Sequence, residues 1–294
     1  MHVTVLFLLF VAVHNARSDT LRILGGMDAY ETQYPYVVKL ESIPTGEAPK
    51  RKGKPLEKIH VCTGAVLAEK WTITAGHCVD ALEQLACLVV VRKSMIRVGH
   101  SGANAADPTA TAPDCGPDDK NCTGKLVDII AFHTHPAYKD LSFADNIHME
   151  NNVAMVHHNS IKIKEYVKVS AVDIFSMLGQ EAKTIGYGVS SPKSRRDDRK
   201  PLQILEVVLV TCPKRGTMYP MVCVAARCSS QRPVLCAGDA GGPLVHAAGI
   251  IAITSKNSDK DCARSEKSRR PEVGTLTPLS PYLTWITSHI ITSR

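Results

Sequence analysis

Aromatic side chains are scarce: Phe, Trp and Tyr together make up 5% of the 294 residues. A core must therefore be filled mainly by Val, Ile and Leu. Long apolar runs are also missing. The run Val3–Val13 falls short of the roughly 20 residues a membrane helix needs, and no later stretch is apolar for long enough. Cysteines clustered at metal-ligand spacing are absent. The ten cysteines stand scattered at 62, 78, 87, 115, 122, 212, 223, 228, 236 and 262. That scatter excludes a structural zinc motif of paired cysteines. No internal repeat is evident, and no cofactor signature is present.

Apolar residues nevertheless reach 44%, ample for a sizeable core. The 19 glycines and 17 prolines are spread along the chain, as expected for many short strands joined by turns. Short β-branched runs recur at Tyr36–Leu40, Val61–Leu67, Trp71–Thr74, Leu88–Val91, Met95–Val98, Val127–Phe132, Val153–Val156, Lys183–Tyr187, Gln203–Val210, Leu244–His246 and Ile250–Ile253. The pattern reads as all-β, a sandwich or barrel. One helix is expected at the end of the chain. Ser280 is its cap, Pro281 suits its first turn, and Tyr282, Trp285, Ile286 and His289 share a face that docks on the rest. The Ala/Pro/Asp-rich stretch His100–Asn121 reads as a long loop.

Residues 1–18 read as a cleaved signal peptide, with Ala16-Arg17-Ser18 as its small-x-small cleavage site. Secretion follows, and with it disulfides. Six residues separate Cys115 from Cys122, which suits a local disulfide. Asn121-Cys122-Thr123 is an N-glycosylation sequon at Asn121. The net charge of +7 concentrates in Lys50–Lys54, Lys193–Lys200 and Arg264–Arg270. These stretches read as solvated loops; the sharper alternative is a surface for an acidic polysaccharide or acidic partner. Nucleic acid is not expected as a partner. His133, His135, His148, His157 and His158 read as structural, because a metal would need a third ligand and supporting contacts that sequence does not show.

Three segments bear on chemistry: Ile23-Leu24-Gly25-Gly26 after Arg22, Thr74-Ala75-Gly76-His77-Cys78, and Gly238-Asp239-Ala240-Gly241-Gly242-Pro243. In this order they resemble the chymotrypsin/trypsin family of serine peptidases. Tyr34-Pro35-Tyr36, His135-Pro136-Ala137-Tyr138, Gly186-Tyr187-Gly188 and the Tyr282/Trp285-Ile286 helix add to the resemblance. It covers residues 23–294, behind a short propeptide at 19–22. It implies two six-stranded antiparallel β-barrels, at about 36–156 and about 160–278, followed by a C-terminal helix at about 280–292. It also implies an active site between the barrels.

The departures from the family matter most. The mechanism needs a serine nucleophile, a histidine base, and an aspartate that fixes the histidine tautomer. His77 stands at the histidine position, Ala240 at the serine position, and Asn152 at the aspartate position. A methyl group cannot attack a carbonyl. The backbone N–H groups of Gly238 and Ala240 are expected to form an oxyanion-like nest. Cleavage after Arg22 is expected to free an Ile23 ammonium that pairs with Asp239. At the primary pocket the resemblance puts Val234 where trypsin has its acidic residue. It puts Ala252-Ile253-Thr254 in place of the usual Ser-Trp-Gly, so that Thr254 narrows the entrance, and Gly274 on the far wall. Disulfides implied by the family are Cys62–Cys78, Cys212–Cys223 and Cys236–Cys262. Cys87, Cys115, Cys122 and Cys228 then remain; Cys115–Cys122 is preferred, with Cys87 and Cys228 unassigned.

The resulting expectation is a secreted, inactive serine protease homologue that binds or regulates an extracellular protein: a protease, an inhibitor or a cascade component. Inactive family members, common among arthropods, resemble it. No cysteine-rich module precedes Ile23, so a clip-domain cofactor is not expected. The alternatives are a family enzyme with weak or unrecognised activity, and a polyanion-binding protein that uses the basic loops.

Overall fold

The computed structural model describes residues 26–29, 33–45, 59–88, 92–98, 125–142, 149–188, 202–212, 221–227, 235–236, 238–255 and 272–291. Two antiparallel barrels account for most of them. The first closes in the order β2 (Val37–Pro44), β3 (Ile59–Ala68), β4 (Trp71–Thr74), β9 (Ala154–His158), β6 (Lys125–Thr134) and β5 (Arg92–Val98), with β5 returning to β2. The second runs β11 (Gln203–Val210), β10 (Glu181–Gly186), β13 (Pro243–His246), β14 (Gly249–Thr254), β15 (Glu272–Pro278) and β12 (Val222–Ala226), and β12 closes it on β11. A two-residue strand, β1 (Met27–Asp28), adds to the outer edge of β11. A small ribbon, β7 (Lys139–Asp140) with β8 (Met149–Glu150), precedes the turn into β9.

The core follows from composition. Aliphatic side chains such as Val37, Leu40, Ile73, Ile96, Met155, Ile185 and Ile253 are completely buried. Tyr187 is the one aromatic among the largest fully buried side chains of the described residues. One apolar cluster spans the first barrel and the face where the second meets it, and a second fills the remainder of the second barrel.

The expected strands sit largely where the short β-branched runs put them, and Gln203–Val210 matches end for end. Three readings need correction. Leu88 does not open a strand, because it ends helix α1 (Gly76–Leu88). Cys78, Val79 and Leu82 bury one side of that helix, at spacings that suit a 3.6-residue period. Strands β12 and β15 are the second omission; Glu272 and Gly274 interrupt the apolar run of β15, whereas β12 is the short run Val222–Ala226 around Cys223. Ser280, finally, caps nothing. Residues Ser280–Tyr282 form a 3-10 turn without a side-chain cap, and helix α2 follows at Leu283–Ile291. Its docking face is as expected, with Tyr282 and Ile286 buried.

One buried titratable group sets an acid limit on the first barrel. His158 is completely inaccessible. Its Nδ1–H donates to the Asn159 carbonyl at 2.8 Å, and its Nε2 accepts from Thr72 Oγ1 at 3.0 Å. Burial pushes its pKa down to about 4; the Asn159 bond opposes the shift and His157 adds to it. Between pH 6.5 and 4 the unfolded chain therefore binds a proton that the folded chain refuses, so stability falls as pH drops through this window. The loss reaches about 3 kcal/mol below it. Urea midpoints at pH 7 and pH 4.5 should show this loss, and His158→Gln, which keeps a donor and an acceptor, should flatten it.

Candidate functional site

Each barrel contributes to one polar seam. His77 is the second residue of α1, directly after β4, and Cys78 beside it is bridged to Cys62 on β3. That disulfide closes a separation of 16 residues, worth about 3 kcal/mol in the chain-entropy model. Asn152 sits two residues before β9, with 1% of its surface exposed. Asn151 shapes that turn. It adopts a left-handed φ of 48°, a conformation that Asn tolerates better than most residues. Its Nδ2 donates to the Ala137 carbonyl at 2.8 Å, and its Oδ1 accepts from Tyr282 Oη at 3.0 Å.

The Asn152 amide is oriented by its neighbours. The backbone N–H of His77 can only donate, and it reaches Oδ1 at 3.0 Å. Nδ2 in turn donates to Ser255 Oγ at 2.9 Å. His77 Nδ1 lies between the two amide atoms, 3.2 Å from Oδ1 and 3.1 Å from Nδ2. The amide thus serves two tautomers. An Nδ1–H that donates to Oδ1 leaves Nε2 bare and basic. An Nδ1 that accepts from Nδ2–H moves the proton to Nε2 and removes the base. A carboxylate, with two acceptors and no donor, would stabilise the first tautomer alone.

Ser255, the partner of the Asn152 amide, directly follows the segment Ala252-Ile253-Thr254 in the chain. Thr254 ends β14. It is completely buried, with Oγ1 3.4 Å from Thr184 Oγ1, and its backbone exchanges hydrogen bonds with Gly241 and Gly242 at 2.8 Å each. Ala252 and Ile253 are buried on the same strand. The sequence signal was available in the apolar-Thr-Ser ending of Ile253-Thr254-Ser255. Gly274 lies on β15 opposite Val224.

The turn that carries Ala240 is held by backbone and carboxylate. Gly238 and Gly241 take φ values of +93° and +78°, open to glycine without strain. Asp239 is 1% exposed. Its Oδ1 accepts from the Gly188 N–H at 2.8 Å and its Oδ2 from the Cys236 N–H at 2.9 Å. A Cβ on Gly186 or Gly188 would overlap this carboxylate, which accounts for both glycines. The Ala240 carbonyl accepts from Thr63 N–H at 2.9 Å. The N–H groups of Gly238 and Ala240 meet no acceptor among the described residues.

Thr63 ties this turn to the first barrel. Its Oγ1 donates to the Gly238 carbonyl at 2.7 Å and accepts from Tyr187 N–H at 3.2 Å. His60 Nε2–H donates to the same Gly238 carbonyl at 3.1 Å. Tyr138 packs its ring on Gly76 and donates to Asp80 Oδ2 at 2.9 Å, fixing the start of α1 from outside. Ser255, Asn151, Thr63 and His60 are all site residues that motif reading missed.

Cys62, His77 and Cys78 bring their ligand atoms within 4.8 Å of one another. Both sulfurs are spent in the disulfide, so the trio offers no thiolate to a metal. Cys212–Cys223 is also formed, and Cys236 is disulfide-bonded. Cys87 is free and exposed on α1. Arg22, Ile23, Val234, Asn121, Cys115, Cys122, Cys228, Cys262 and the three basic stretches lie outside the described residues.

Two closed six-stranded antiparallel barrels with a short C-terminal helix define the trypsin-like fold. A trypsin family model matches residues 23–286, and the chain belongs to that family. Human kallikrein-8 is 26% identical over 281 residues, covering 92% of this chain and 88% of that protein. Granzyme M of Rattus norvegicus is 26% identical over 279 residues, covering 90% and 88%. A solved structure of neuropsin, a serine protease expressed in the limbic system of mouse brain, aligns with a TM-score of 0.59 at 20% identity. It covers 90% of this chain and 98% of that one.

The Thr63 hydroxyl gives the seam a direct test. Thr63→Val keeps the shape and removes both hydroxyl bonds, stranding the Tyr187 N–H. Chemical denaturation should show a loss of about 2 kcal/mol, and Thr63→Ser should lose less.

Proposed function

We propose that this trypsin-family chain is a secreted, non-proteolytic binding or regulatory protein that engages an extracellular protein partner through the barrel-pair cleft. The observation that carries this reading is the pairing of Ala240, a methyl in the nucleophile turn, with an Asn152 amide that serves either tautomer of His77. The first removes the attacking atom; the second removes the bias that makes a histidine a base.

The surrounding frame supports a binding role. Gly238 and Ala240 present N–H groups to the cleft turn as an anion-accepting nest, and Asp239 remains cradled by two backbone donors. Cleavage after Arg22 would deliver a new ammonium toward Asp239 and act as a conformational switch without catalysis. Disulfides at Cys62–Cys78 and Cys212–Cys223 suit an oxidising compartment, in keeping with residues 1–18 acting as a signal peptide. No helix among the described residues is long and apolar enough to cross a membrane.

Repair of the triad separates this reading from a weak enzyme. The parent protein with Ile23 as its amino terminus should turn over no peptide substrate, whether apolar, basic or acidic, and should not be captured by a serine-directed covalent reagent. Ala240→Ser alone should stay about 10³-fold or more below Ala240→Ser/Asn152→Asp, since an Asp-to-Asn exchange at this position costs about 10⁴ in a working triad. Parent turnover that His77→Ala abolishes would refute silence. Equal rates in the single and double variants would refute the role given to Asn152.

A further inference from the structure

The linker that follows β9 crosses from the first barrel to the second, and its backbone is pinned along its length. The Asn159 N–H donates to the Asp128 carbonyl at 3.0 Å, the Ile161 N–H to the Glu69 carbonyl at 2.8 Å and the Val167 N–H to the Val66 carbonyl at 3.2 Å. At the far end Val169 pairs in parallel with Ile250 on β14, and the Ile250 N–H donates to the Lys168 carbonyl at 2.9 Å. The inward side chains are apolar. Ile161 is 3% exposed, and Ile163, Tyr166, Val167 and Val169 pack against the core. Between them Lys162, Lys164 and Lys168 are exposed. From Ile161 to Lys164 this is the inside–outside alternation of an extended chain, which puts Lys162 and Lys164 about 6–7 Å apart on the outer side. Lys70 is exposed in the β3–β4 turn, whose carbonyls hold the start of the linker; the His158 N–H donates to the Lys70 carbonyl at 3.1 Å. None of these four ammonium groups forms an ion pair among the described residues. Glu69 is engaged by the Ser160 hydroxyl, and Glu165 is the one acidic residue within 159–170.

We propose that the outer side of this linker binds a linear, sulfated acidic polysaccharide, with Lys162, Lys164 and Lys168 as its track of cations and Lys70 beside the start of the track. A linear polyanion is met by cations in line rather than by a pocket, and its binding is driven by exchange of its small counterions for lysines. The pinned backbone already holds the track in order, so binding restricts side chains and not the chain itself. The same packing argues against the other polyanions. A lipid surface takes apolar side chains inserted beside the lysines, and those of the linker are turned to the core. Single-stranded nucleic acid needs exposed aromatic rings for stacking. Tyr166, the linker's one aromatic, packs on the core and donates its hydroxyl to the Ile161 carbonyl at 2.9 Å. The track shares no residue with the His77–Asn152–Ala240 site, so it stands whatever the cleft binds. It is also separate from the basic stretches Lys50–Lys54, Lys193–Lys200 and Arg264–Arg270.

Heparin is the probe. The full chain should be retained on immobilised heparin at about 0.15 M salt and released by added NaCl. Lys162→Gln/Lys164→Gln/Lys168→Gln should raise the heparin Kd about a hundredfold, at about fivefold for each lysine that faces a polyanionic surface. The three side chains are exposed, so the urea midpoint of this variant should match that of the parent. Lys50→Gln/Arg51→Gln/Lys52→Gln, which removes the same number of charges from another basic stretch, should raise the Kd less. Heparin should also slow hydrogen exchange along residues 161–168 of the parent. Absence of retention, an unchanged Kd in the linker variant, or a greater loss in the 50–52 variant would overturn the proposal. So would tighter binding to phosphatidylserine vesicles or to single-stranded DNA than to heparin at the same salt, which would give the lysines to a lipid surface or a nucleic acid instead.

Discussion

Among the hydrogen bonds that join the two barrels, one buried hydroxyl-bearing residue, Thr63, makes three. Thr63 uses its N–H, its carbonyl and its side chain at once: toward Ala240, from Thr74 Oγ1 at 2.9 Å, and between Gly238 and Tyr187. A buried hydrogen bond contributes only about 1 kcal/mol net, but an orphaned buried donor costs more. The seam is therefore governed by complete pairing rather than by strong bonds. Two elements of the candidate site are tied to it. Cys62, next along β3, is bridged to Cys78 beside His77, and the Ala240 turn closes on the Thr63 backbone.

Asn152 fits this logic as a structural substitute and not as a chemical one. The position has to accept the His77 N–H and engage Ser255, and an amide does both with one atom each. It keeps the barrels joined and α1 oriented. What it cannot supply is a charge that favours imidazolium or a donor-free face toward Nδ1. Shape and reactivity are separable here because the first needs hydrogen-bond partners of the right sense, whereas the second needs a carboxylate.

Legibility in the sequence followed the range of the interaction. The barrels were readable because each strand's β-branched run is local, and the motifs around His77 and Ala240 were readable because their residues are contiguous. The seam was not. Ser255 lies 103 residues from Asn152, and nothing near it in the chain reveals the contact. The β13–β14 hairpin that leads to Ser255 is not regularly paired. A shift at Leu244/Val245 disturbs that pairing register. Helix α1 escaped notice because its apolar positions begin inside a motif that was read for chemistry. Asn151 carried a signal, Asn as a residue tolerant of positive φ, but only the turn geometry gives it meaning. The docking of α2 was half legible: the helix face was evident, and the surface it would meet was not.

Asp239 shows how the turn at position 240 is held without help from its side chain. A buried carboxylate is costly unless its oxygens are well paired. Here one oxygen binds the turn at Cys236 and the other binds Gly188, at the end of β10. The same carboxylate thus sets the distance between two loops of the second barrel, and Gly186 and Gly188 have no side chains that would push it away. None of these contacts involves the side chain at position 240. The shape of the turn is fixed from outside the reacting atom, by backbone donors and by the Thr63 seam. With Ala at position 240, the turn therefore holds its geometry through contacts that need no side-chain hydroxyl.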